Sequence, residues 1–171
     1  QVLTAQLANS FKNLGLQIQL FSTESTIKTF AEKYGISIET LTSNMQTLVQ
    51  TTKSAASATD ILQTAINVSA ANGKDLTEVV TALEKASKGS TVALSRLGIG
   101  IGIADLKGKS FQQVMDQLNS MFKGAGAAAA DTYQGKLNRL KVGFEELKVN
   151  IGEGLTNAFA GLVGNGKSID Q

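Results

Sequence analysis

No proline occurs anywhere in these 171 residues, whereas glycine occurs 17 times. Proline stops helices and stiffens loops. A chain without it has to end its helices another way, and glycine serves because it adopts the left-handed conformation that closes a helix. Here the glycines fall between stretches whose apolar residues recur every three or four positions. That pattern predicts an all-α fold: a bundle of short amphipathic helices followed by a longer heptad-patterned helix.

The chain is 42% hydrophobic but only 5% aromatic, with no tryptophan. Its core must therefore be aliphatic. A single domain of this length buries roughly 70% of the surface that its unfolded form exposes, enough for a real core. The first residue is Gln, not Met, so the chain reads as an excerpt from a longer protein. It shows no targeting signal and no apolar run near the ~20 residues of a membrane span.

Two further absences restrict the chemistry. There is no Cys and no His, which removes disulfides, thiolate nucleophiles, Ser-His-Asp triads and the usual zinc sites. The adjacent carboxylates Glu145 and Glu146 point about 100° apart on a helix, so they share no acid–base site. No enzyme activity, cofactor or metal is expected. The net charge is +2, too thin for the basic stripe that nucleic acid requires. No specific nucleic-acid binding is expected either.

Along the chain, Leu3, Leu7, Phe11 and Leu14 share one face of a first helix over 2–14, followed by Gly15. The stretch from Leu16 to Phe21 alternates apolar residues with Gln and reads equally as a short strand or a continued helix. A helix over 23–34 carries Ile27, Phe30, Ala31 and Tyr34 and stops at Gly35. Ser37 caps a helix running to about Lys53. Ser57 to Asp60 looks like a capping box for the next, which ends at Asn72-Gly73. Asp75 and Glu78 open another, Ser90 caps a short one, and Ser110 with Gln113 opens a helix that stops at Gly124.

Beyond Ala127 to Ala130 the apolar positions are Tyr133, Leu137, Leu140, Phe144, Leu147 and Ile151. Their four-three spacing makes an a/d seam over about three heptads. The seam suits either self-association with other copies or packing onto the domain itself. The expected organisation is a compact helical domain over 1–124. A long helix with the seam and a glycine-rich exit follows over 125–171.

Two glycine-rich motifs resemble ligand loops. Gly161 to Ser168 matches GxxxxGK[ST], but a helix rather than a strand precedes it and only three residues follow, so a flexible exit is expected. Gly98 to Gly102 lacks GxGxxG spacing and any βαβ frame, and reads as an apolar connector.

The stretch Asp60 to Ile101 resembles the helical domain of phage tail tape measure proteins. It carries a GKDL turn (Gly73 to Leu76) and then G-S-T-x-A-L-x-R-L-G (Gly89 to Gly98). Ala104 to Leu155 is similar to that family's next block, with an alanine-rich run before DTYQGKLNRLKV. The similarity covers about Thr29 to Leu155, and its specificity lies in the order of the motifs. The resemblance implies a structural module inside a phage tail, acting in tail assembly, tail-length determination and genome ejection. Implied partners are other copies of itself, tail tube, tail tip and tail assembly chaperone proteins, with transient host-membrane contact. Implied locations are the tail lumen of the virion and the host cytoplasm during assembly. The alternative is a membrane-active helical domain, drawn from Ile99 to Ile103 and the alanine run.

Overall fold

A computed structural model describes residues 11–145 together with Leu155 and 157–159. Among these residues the fold is all-α, with no strand. The helices are α1 (Phe11–Tyr34), α2 (Ile38–Thr52), α3 (Ala55–Asn72), α4 (Leu76–Ser87), α5 (Val92–Ser95), α6 (Ile103–Leu106), α7 (Phe111–Phe122), α8 (Ala125–Ala130) and α9 (Tyr133–Glu145).

Helix α3 is the centre. Residues Thr64, Ala65, Ile66, Asn67 and Val68 are all buried, so it is covered on every side, as a helix inside a core must be. Helices α1, α2, α4, α7 and α8 all pack on it. The surrounding helices bury single stripes. On α2 the stripe is Ile38, Leu41, Met45, Leu48 and Val49. On α4 it is Leu76, Val79, Val80, Leu83 and Ala86. On α1 it is Thr23, Ile27 and Ala31, spaced by four. Val114, Met115 and Leu118 of α7 join the same core, as do Leu155, Ala158 and Phe159.

Several helix ends follow local chemistry. The hydroxyl of Ser37 accepts the Thr40 N–H at 3.1 Å, filling one of the orphan donors of a first turn. Ser110 accepts from Gln113 N–H, and Gln113 Oε1 accepts the Ser110 N–H at 2.8 Å, a complete capping box. Gly73 takes the left-handed conformation (φ 64°) and lets Lys74 N–H reach back to the Ser69 carbonyl at 3.1 Å, satisfying the end of α3.

Other ends differ from the sequence-based expectation. Gly15 stops nothing: α1 runs through it and through Leu16 to Phe21 without a strand. A helix of 24 residues absorbs one glycine, which costs about 1 kcal/mol relative to Ala. Residues 1–10 of the expected first helix lie outside the described residues. The cap of α3 is Ser54, which accepts from Ser57 N–H at 3.1 Å. It sits one turn ahead of the expected start, because Ala55 and Ala56 are strong helix formers. Asp75 does cap α4 as expected, accepting from Glu78 N–H at 3.2 Å. Thr91 rather than Ser90 precedes α5, with no side-chain cap bond.

The long helix expected from 125 onward is two helices among the described residues, broken at Asp131 and Thr132. The first, α8, lies against α3; the second, α9, lies against α1. The expected division at residue 124 therefore falls between α7 and α8, both of which pack on α3.

Candidate functional site

The two turns that carry the family resemblance come together. The GKDL turn joins α3 to α4, and the second motif runs from the turn after α4 through α5 to Gly98. The Lys74 ammonium lies 3.9 Å from where a Cβ on Gly98 would sit. The leucines of both motifs, Leu76, Leu94 and Leu97, are buried. The leucines and glycines of these motifs are thus packing and turn residues. Asp75 spends its carboxylate on the α4 cap, and Arg96 faces solvent.

The connector from Gly98 to Gly102 alternates exposed glycines with buried Ile99 and Ile101. Gly102 N–H donates to Asp105 Oδ2 at 2.8 Å, which closes the connector onto α6. Ile103 stays exposed. Of the apolar features behind the membrane reading, two of the three isoleucines are therefore committed to the core. Gly126 and Ala130 of the alanine-rich helix are buried too. Among the described residues no helix is long and apolar enough to cross a membrane.

The heptad seam is only partly described. Leu137 is 41% exposed and Leu140 is 65% exposed, so these two seam positions do not face the bundle. Tyr133 and Phe144 belong to α9, but their side chains lie outside the description. Leu147, Ile151 and the GxxxxGK[ST] stretch from Gly161 to Ser168 lie outside the described residues.

Two hydroxyl-lined hollows flank the start of α3. One, of about 620 Å³, lies between α1 and α3 and is lined by Ser22, Thr23, Thr26, Ser54, Thr59 and Asp60. The other, of about 270 Å³, is lined by Thr51, Ser57, Asp60, Ser87, Phe111 and Met115. Asp60 lines both. Among the described residues no hydrogen bond joins Asp60 to one of these hydroxyls, the link that would activate a nucleophile.

Sequence reasoning missed the polar ties between helices. Asn44, buried on α2, donates to Thr77 Oγ1 at 3.1 Å. Thr51 Oγ1 donates to Glu84 Oε2 at 2.6 Å, a second tie from α2 to α4. Thr64 of α3 donates to Asn119 Oδ1 of α7 at 2.8 Å. Gln63 donates to the Tyr34 hydroxyl at 2.9 Å, joining α3 to α1. Gly126 N–H donates to Asn67 Oδ1 at 2.8 Å in a buried contact between α8 and α3. Nothing local in the sequence marks these partners, which lie 29 to 59 residues apart.

No protein family, no curated protein and no solved structure matches this chain.

Proposed function

We propose that this chain is a folded structural module of a phage tail tape measure protein. It serves tail assembly and tail-length determination, and then genome ejection. Its partners are other copies of itself and the tail tube, tail tip and tail assembly chaperone proteins. It works in the tail lumen, after assembly in the host cytoplasm.

The observation that carries this reading is the ordered motif pair from Gly73 to Gly98. Leu76, Leu94 and Leu97 of these motifs are core residues, and Gly73, Gly89 and Gly98 take positive φ in turns. The compact fold adds a geometric consequence. An α-helix rises 1.5 Å per residue, so a chain of this length stretched as one helix spans about 250 Å, whereas α1, the longest described helix, spans about 36 Å. Folded as a bundle, the module contributes little length to a ruler.

The test is an in-frame deletion of the segment in the phage or prophage that encodes it, with tail length read by electron microscopy and infectivity by plating. Tails shortened by far less than about 250 Å, with infectivity lost, are the expected result. Shortening by the full amount would mean that the segment is stretched in the virion. Unchanged tails with unchanged infectivity, or purified tails without its peptides, would overturn the reading.

A further inference from the structure

Helix α3 ends at an asparagine, Asn72, followed directly by Gly73. This is the dipeptide most open to spontaneous deamidation, because glycine has no side chain to crowd its own amide nitrogen. In that reaction the Gly73 nitrogen gives up its proton to water and bonds to Asn72 Cγ. The Cγ–Nδ2 bond breaks, and the side-chain nitrogen leaves as ammonia with a proton taken from water. The five-membered imide then adds one water at either carbonyl, giving aspartate or isoaspartate. Water is the only co-reactant.

Water reaches this turn. Gly73 is exposed, and a Cβ added to it would meet nothing within 4 Å. Any restraint on the reaction therefore comes from geometry and not from exclusion of solvent. The Gly73 N–H, whose proton has to leave, donates to the Ser69 carbonyl. The Lys74 N–H donates to the same carbonyl at 3.1 Å. The Ser69 hydroxyl donates in turn to the Lys74 carbonyl. Ser69 thus holds the backbone after Gly73 from two sides. The carboxamide is tied as well: Asn72 Nδ2 donates to the Val68 carbonyl at 2.9 Å, in line with the lean of helical side chains toward the N-terminus.

The attacking nitrogen and the carbon it must reach are each fastened one turn back. Reaction needs both ties released, so its rate follows the fraction of time that the turn is open.

We propose that Asn72–Gly73 is a deamidation site that the folded turn holds closed through Ser69, so that modification there marks chains in which the α3–α4 turn has opened. This rests on the contacts of the turn and not on the proposed function. The product is not silent. Aspartate at position 72 loses the donor to Val68 and puts a negative charge at the C-terminal end of α3, where the helix dipole opposes it. Isoaspartate adds a methylene to the main chain and breaks the spacing on which the Gly73 and Lys74 hydrogen bonds depend.

The experiment incubates the full chain at mildly alkaline pH with and without urea. Mass spectrometry follows the peptide that contains Asn72, with chromatographic separation of isoaspartate. Asn165–Gly166, the other Asn–Gly pair of the chain, reports the intrinsic rate in the urea sample. In urea the two sites should convert at similar rates, and without urea Asn72 should convert many-fold more slowly than it does in urea. Ser69→Ala should raise that native rate several-fold, with faster hydrogen exchange at Lys74 and helicity retained. Ser110→Ala weakens the bundle at α7 instead and should leave the Asn72 rate near that of the unmodified sequence. Asn72→Asp, which makes the product directly, should lower the thermal midpoint. Equal Asn72 rates with and without urea would overturn the proposal, as would a folded Ser69→Ala chain that reacts no faster than the original. Equal acceleration by Ser69→Ala and Ser110→Ala would overturn the role of Ser69, and an unchanged midpoint in Asn72→Asp would overturn the structural effect of the product.

Discussion

Helices α3 and α9 are of similar kind on paper, each with apolar residues at helical spacing, yet they are held by different physics. Helix α3 is surrounded by five neighbours and buries side chains on all faces. Helix α9 turns two of its leucines outward and sits against its neighbour through glycine. Periodicity says that a helix has an apolar side. It does not say that this side is the one used for docking. Where several helices converge, burial of aliphatic side chains supplies the stability. Where one helix lies at the margin, close backbone contact and single hydrogen bonds hold it, and local opening is correspondingly easier.

Four substitutions would break or sharpen this contrast. Leu62→Ala on α3 removes a fully buried side chain and should cost about 2–5 kcal/mol, read as a fall in the urea midpoint. Asn67→Ala strips the acceptor from the buried Gly126 N–H. An orphaned buried donor costs about 1–3 kcal/mol; hydrogen exchange should show faster exchange at Gly126 in particular. Ser110→Ala removes the capping box of α7, a loss of about 1 kcal/mol that thermal melting would register as a small drop in midpoint. Leu140→Ala on α9 should change stability by about 0.5 kcal/mol at most, as exposed positions do. A cost near that of Leu62→Ala would show instead that the seam is covered in solution. Sedimentation at two concentrations would tell whether a second copy covers it.

Much of the bundle was readable residue by residue. Ser37, Asp75 and Ser110 cap helices as their spacing predicts, and Gly73 and Gly124 take the positive φ expected of stops. These features depend on atoms within one turn of each other, so local sequence suffices. The same locality explains the misreadings. Gly15 looks like a stop until the length of α1 outweighs its cost. The helix expected to begin at 125 breaks at Asp131 and Thr132, before the seven-residue period begins at Tyr133.

On its own, the sequence determined the class of fold, the aliphatic core and most helix ends, because periodicity and capping act over a few residues. Tertiary structure alone decided that α3 is central and that Asn44, Thr64 and Asn67 find partners tens of residues away. Each of those outcomes needs a second segment brought close to present a hydroxyl, an amide or a carbonyl.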